Sequence, residues 1–374
     1  MSVSNEGDFA EFLAEGELRH PITQIYPGRA AYQADIRRGG VWRRLRQTLD
    51  SLDPRVVVVA GWAAPECLAA IAWAMKKRRR VVMMSESQWE DGPRRRLREA
   101  IKRRIVRVCH AALVGGSSHR AYIEALGMPS DRTWEGYDAV DNDHFARGSS
   151  TARSSRSQLR TVYNLPQRYF LASGRFIPKK NFRGLMRAYA RFCAQMPAGP
   201  DLVLLGDGPD RPRIEAEIAG AKLQDRVHLR GFQRYADLPV FYGLADAFVH
   251  IALTEQWGLV VNEAAASGLP LIVSRSTGSS RELVKDGLNG YLVDALAEDD
   301  VADRMLRLAA ADGVTRDAMG HASRGLVVEW GPERFASGLM SAIAAAQNVR
   351  IRRQTPIDAA LLYALAHHQP KVVS

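Results

Sequence analysis

Cysteine is scarce in this chain of 374 residues: there are three, Cys67, Cys109 and Cys193, widely separated and never paired as C-x-x-C. That pattern excludes a disulfide framework and the common cysteine zinc sites, and it reads as small core hydrophobes in a reducing compartment. Long apolar runs are lacking as well; none approaches the roughly 18 residues of a membrane-spanning helix. The first thirty residues carry no basic-then-apolar leader pattern. A secreted or integral membrane protein is therefore not expected, and a cytoplasmic one is. Acidic residues are missing altogether from residues 151–200, which hold ten basic groups.

What is present is ordinary for a soluble globular chain, with 46% hydrophobic and 25% charged residues and a length typical of about two domains. The net charge of +11 is uneven: besides the middle segment, residues 76–107 hold 13 basic against 4 acidic groups. Two local patches need explaining, whereas a uniformly basic protein does not.

From residue 55 onward, short β-branched runs alternate with longer helical stretches. Val56 to Ala60, Val81 to Met84 and Ala111 to Val114 read as buried strands, separated by helices over Pro65 to Lys77 and Pro93 to Val108. A Ser/Arg-rich stretch, Ala146 to Arg160, reads as a linker by composition. The alternation then restarts, with strands at Tyr169 to Ser173, Asp201 to Leu205, Val227 to Leu229, Ala247 to Ile251, Leu269 to Val273 and Gly290 to Val293. Apolar strands with helices between them predict parallel sheets, so the fold class is α/β, with two doubly wound domains and ligand at the carboxyl ends of the strands. The expected division is 1–150, 151–348 and a helical tail over 349–374.

The most informative segment runs from Thr254 to Pro270. It sets Glu255 and Glu263 on either side of a turn at Gly258 that leads into an Ala-rich helix ended by Gly268. Backbone N–H groups of Gly258, Leu259 and Val260 at that helix start are a natural seat for a phosphate. Gly174, Arg175 and Lys180 follow one strand, Gly206, Asp207, Gly208 and Pro209 follow the next, and Thr277 to Glu282 follow a third. Together these loops offer cations and close-approach glycines of the kind a nucleotide diphosphate with an attached sugar requires.

In these residues the chain resembles the family-four (group 1) retaining glycosyltransferases, whose GT-B architecture is two Rossmann-like domains facing across a cleft. The resemblance rests on Glu255-x7-Glu263 followed by Ala264-x-Ala266-Ser267-Gly268-Leu269-Pro270, with Gly174, Arg175 and Lys180 and the Gly206 to Pro209 turn in support. It implies that Arg175 and Lys180 bind the diphosphate, that Glu255 meets hydroxyls of the transferred sugar, that Glu263 holds the ribose and that Gly206, Gly208 and Pro209 lie near the base. It also implies a hexosyltransferase acting with retention, using no metal and no cofactor beyond its nucleotide-sugar donor. The acceptor would be a hydroxyl of a glycan or lipid-linked molecule in surface polysaccharide or glycolipid synthesis.

Three departures stand out. Ser279 follows Gly278 where the family usually has a second glycine; the loop Ser85 to Asp91 lacks the family's histidine, with Glu86 or Ser85 as candidates for its position and Asp91 or Glu90 as candidates to assist an acceptor; and Met1 to Leu18 shows no opening strand and Gly-rich loop, so the first β-α unit reads as short or missing. The helix within 94–108 places Leu97, Ile101, Ile105 and Val108 on one stripe with its cations elsewhere. That pattern suits docking on the protein or contact with an anionic membrane surface by residues 76–107. A degenerate, inactive transferase-like binding subunit is one competing reading and a basic nucleic-acid-binding protein is another. No aromatic-basic interleaving supports the latter, so nucleic acid is not an expected partner.

Overall fold

A computed structural model describes residues 23–38, 40–351 and 355–367. Met1 to Leu18, on which the reading of a short first unit rests, lies outside the described residues. Two helices, α1 (Arg29–Arg37) and α2 (Gly40–Leu52), lead into β1 (Val56–Ala60), α3 (Pro65–Lys76), β2 (Arg80–Ser85), α4 (Arg96–Val106), β3 (Ala111–Val114), α5 (Ser117–Ala125) and β4 (Thr133–Glu135). The four strands form one parallel sheet in the order β1-β2-β3-β4. One face packs against Leu45, Leu49, Ile71, Trp73, Ile105 and Tyr122.

The second unit begins with α6 (Asn142–Ser154) and α7 (Arg156–Val162). It continues through β5 (Tyr169–Ser173), α8 (Phe182–Gln195), β6 (Asp201–Leu205), α9 (Arg211–Gly220), β7 (Val227–Leu229), α10 (Leu238–Leu244), β8 (Ala247–His250), α11 (Leu259–Ala266), β9 (Leu271–Ser274), α12 (Ser280–Leu283), β10 (Gly290–Val293), α13 (Glu298–Ala310) and α14 (Gly313–Val327). Its six parallel strands run β10-β9-β8-β5-β6-β7. The winding direction reverses at β5, which pairs with both β6 and β8. Such a switch point opens a crevice outside the carboxyl ends of the two strands that flank it.

The stretch Ala146 to Arg160, expected to be a linker, is helical. Phe145, Ser149 and Ala152 lie on one buried face of α6, and their contact with α10 is unusually close. A Cβ on Gly148 would stand 2.6 Å from the Pro239 side chain, and one on Gly243 would stand 2.8 Å from the Ser149 backbone. Small residues dock these helices, so the packing leaves little apolar signature in the composition. Beyond α14, helix α15 (Pro332–Asn348) crosses back and covers the other face of the first sheet with Leu339, Ala342, Ile343 and Ala346. A last helix, α16 (Pro356–His367), places Leu362 in the first core.

Candidate active site

The loops after β5 and β8 meet at the switch point. Lys180 ends a short turn behind Gly174, and its Nζ donates to Glu255 Oε2; Lys179 Nζ lies 3.9 Å from Glu255 Oε1 and His250 Nε2 lies 3.7 Å from Oε2. Glu255 is 8% exposed. Burial works to raise its carboxyl pKa, but His250 and Lys180 outweigh that and hold it at about 2. His250, itself buried, is pushed down by desolvation, and its contact with Glu255 opposes that shift. The Glu255 turn is anchored from below by Trp257, which is 1% exposed and donates through Nε1 to Asn262 Oδ1 at 2.8 Å.

Glycines bring the neighbouring backbones into contact. Gly206 has φ +115° and a Cβ there would lie 2.1 Å from Gly174 O; Gly208 has φ +157° and would meet Phe176 O at 2.5 Å. The Gly174 and Phe176 N–H groups donate to Leu205 O and Asp207 O, so the loops after β5 and β6 form one ledge. Arg175 and Pro209 stand exposed on it. Next to it α11 starts at Gly258, whose φ of 96° lies in the left-handed region, and no side chain caps this helix. Leu259 and Val260 present the first N–H groups of the helix, a dipole end suited to an anion. One turn further on, Glu263 Oε2 accepts from the Tyr242 hydroxyl at 2.6 Å. Burial raises the Glu263 pKa and this bond opposes the rise.

The first domain closes over these loops through specific bonds. Gln88 Nε2 donates to Glu255 O at 3.0 Å, and Gln88 Oε1 accepts from Ser118 Oγ at 2.9 Å. His119 Nδ1 accepts from Gly116 N, so the proton sits on Nε2 and is donated to Gln256 O at 2.7 Å. Glu282 of α12 reaches the start of α5, where its Oε1 accepts from Ser117 N at 2.8 Å and Ser117 Oγ at 2.5 Å. Glu86, at the end of β2, and Asp138, beyond β4, place their carboxyl groups together opposite Glu255. Burial and then the charge of Glu86 push Asp138 up to about 9, and burial raises Glu86 too, so this pair retains a proton at neutral pH.

The departure at Ser279 is accommodated without strain. Its φ of −77° is open to any residue, and its N–H donates to Trp257 O. Gly278, by contrast, is required: a Cβ there would stand 1.6 Å from Gln256 O. Neither Asp138 nor His119 was found from sequence, because their partners come from distant segments. His250 left one signal, a polar residue closing an apolar strand.

The family described as glycosyl transferases group 1 matches residues 156–326, the segment holding every one of the second-domain loops above. In that segment the chain is similar to the group 1 glycosyltransferases. The chain is 33% identical over 116 residues to the alpha-monoglucosyldiacylglycerol synthase of Acholeplasma laidlawii, covering 31% of this chain and 29% of that protein. It is 27% identical to the GDP-mannose-dependent alpha-(1-6)-phosphatidylinositol monomannoside mannosyltransferase of Mycobacterium tuberculosis, over 86% of this chain and 81% of the relative. Among solved structures, Anabaena HepE in complex with UDP superimposes with a TM-score of 0.67 at 16% identity, covering 81% of this chain and 82% of HepE. The architecture is therefore GT-B.

The matches to the first curated relatives span 29%, 42% and 58% of those proteins' lengths. The segment that the family model matches supplies Lys180, Glu255, Glu263 and the glycine ledge, whereas Glu86, Gln88, His119 and Asp138 lie outside it. Among the described residues no group of three or more His, Cys, Asp or Glu is placed to hold a metal ion, and no helix is long and apolar enough to cross a membrane.

Proposed function

We propose that the protein is a retaining glycosyltransferase that moves a hexose from a nucleotide-diphosphate sugar to a hydroxyl of a glycan or lipid-linked acceptor. One observation carries the reading: the Lys180 and Glu255 charges lie against each other at the switch point, beside an uncapped helix start and a backbone ledge that only glycines allow. A donor entering there gives Lys180 and Arg175 a diphosphate to neutralise and leaves Glu255 to accept from sugar hydroxyls. Charge that develops on the leaving diphosphate meets preorganised cations and the α11 dipole, so stabilisation comes from groups already in place. Glu255 is engaged by Lys180 and Glu263 by the Tyr242 hydroxyl, so neither is set up as a nucleophile, and attack by the acceptor from the leaving-group face is the preferred route. The protonated Glu86–Asp138 pair faces the same space from the acceptor side. The reaction needs no cofactor besides the donor in this reading.

Incubation with a panel of UDP-, GDP- and ADP-sugars, with and without EDTA, tests this, together with NMR assignment of the product anomer. Turnover of one donor with retained configuration, unaffected by EDTA, is expected. Lys180→Ala and Glu263→Ala should each lower kcat/KM at least about a hundredfold, in line with loss of one charge-stabilising contact. Wild-type kinetics in both variants would reject the site.

The acceptor's setting is read from residues 76–107. Part of their charge is already compensated inside the protein: Lys77 pairs with Asp50, Arg79 with Asp53, Lys102 with Glu99 and Arg104 with Asp358. The expected apolar stripe on α4 also divides, for Ile105 and Val108 are buried while Leu97 is 74% exposed among Arg95, Arg96 and Arg98. An exposed leucine flanked by arginines that have no ion-pair partner among the described residues favours peripheral contact with an anionic bilayer. Flotation with phosphatidylglycerol vesicles but not phosphatidylcholine vesicles is expected, weakened by Leu97→Ser; equal flotation with both lipids would count against it.

A further inference from the structure

The Ser/Arg-rich stretch that opens the second unit has no part in the donor site, yet its arginines converge. Arg153 on α6 and Arg156 and Arg160 on α7 meet Arg316 of α14 around a hollow of about 150 Å³ beside Gly268 and Pro270. Pro270 precedes β9 and Asp246 precedes β8, so the hollow lies at the amino edge of the second sheet, opposite the crevice that holds Lys180 and Glu255.

Each of these guanidinium groups is held by a backbone carbonyl. Arg153 donates to Ser267 O at 2.5 Å, Arg156 to Arg153 O at 3.2 Å, Arg160 to Leu244 O at 3.4 Å and Arg316 to Ala311 O. Such bonds fix orientation without neutralising charge. Among the described residues none of the four has a carboxylate within ion-pair distance. Of the two acids that line the hollow, Asp246 is already paired with Arg168 at 2.7 Å. The second, Asp317, acts on Arg153 at longer range. A fifth arginine, Arg324, adds to the field: its guanidinium packs on Gly268 and it lowers the pKa of Arg153 after the larger effect of burial. Arg160 Nε is buried without an acceptor. Like charges gathered this closely repel unless an anion lies among them.

We propose that this arginine-lined hollow is a second binding site, specific for a phosphoryl group. Guanidinium forks suit phosphate oxygens because two N–H groups can be donated in one plane. A volume of about 150 Å³ equals about five waters at the liquid value, which admits a phosphate or pyrophosphate and is too small for a nucleotide sugar. The phosphoryl group has two sources, a soluble phosphorylated compound or a lipid headgroup.

Calorimetric titration of the full chain with inorganic pyrophosphate in the Lys180→Ala background tests the proposal with the donor site weakened. Binding is expected to persist there, to weaken at least about tenfold when Arg156→Gln and Arg316→Gln are added, and to be partly restored by Arg156→Lys and Arg316→Lys. The lysine variant guards against misfolding, as do melting curves for all forms. Absence of binding in the Lys180→Ala chain, or equal binding by the glutamine variant, overturns the proposal. Flotation on phosphatidylglycerol vesicles then separates the sources. Flotation lost in Arg156→Gln/Arg316→Gln assigns the site to a headgroup, and unchanged flotation with weakened pyrophosphate binding assigns it to a soluble ligand.

Discussion

Asp138 shows how environment changes what a residue does. Its carboxyl is 7% exposed and faces Glu86, so the folded protein binds a proton that the unfolded chain releases near the ordinary carboxyl pKa. A folded-state pKa raised to about 9 means stability falls as pH rises from about 4 toward 9, because the native state binds more protons across that window. Glu255 works the other way. Its carboxyl is lowered to about 2, so its contribution is complete above the ordinary carboxyl pKa and is lost as pH falls through 4 to 2. Asp138→Asn should therefore raise Tm by about 2–4 °C at pH 8, corresponding to roughly 1 kcal/mol, and by nothing measurable at pH 4. A Tm gain equal at both pH values would show that the pair carries no shared proton.

Lys180, Glu255, Arg175 and Glu263 could be picked out in the sequence because each sits a short, countable distance from a strand end or a helix start. Asp138, His119 and Gln88 could not. Asp138 takes its meaning from Glu86, 52 positions earlier, and His119 and Gln88 take theirs from carbonyls of a loop in the other domain. No local pattern encodes such pairings.

At the scale of elements, glycines determine which loops can touch. The Gly206 and Gly174 backbones approach so closely that an added methyl has nowhere to go, and the φ of +115° would strain any L side chain. Gly206→Ala should cost about 1–3 kcal/mol, read as a lowered denaturation midpoint, and should weaken nucleotide binding by displacing the ledge. Unchanged stability would mean that the two loops can separate freely. Strands were legible because parallel strands buried on both faces are apolar throughout: Tyr169–Ser173 and Asp201–Leu205 fall at their expected residues. Helix α6 was not legible because after Phe145 it docks through glycine, serine and alanine, which leave no apolar stripe in the sequence.

For the whole molecule, the domains are held in register by a few polar contacts: Glu282 at the start of α5, Arg281 with Glu90 at 3.2 Å, and the Gln88 and His119 bonds to the Glu255–Gln256 backbone. A carboxylate at a helix start contributes about 1 kcal/mol, small enough for ligand-driven opening and closing. Replacing Glu282 and Arg281 together by alanine should increase the radius of gyration measured by solution X-ray scattering of the free protein. An identical scattering curve would place the closing energy elsewhere. The crossing of α15 onto the first sheet ties the chain's later part to the first domain as well.

The sequence alone determined the run of strands and helices and the spacing of Glu255, Glu263, Arg175 and Lys180, because periodicity, turn residues and caps act over a few neighbours. Only the tertiary structure decided that the arginines of 153–160 line a hollow with Arg316, that Asp138 keeps a proton against Glu86, and that α15 covers the first sheet. Burial, pairing and charge proximity depend on residues that the chain separates by tens to hundreds of positions, and they exist only once it has folded.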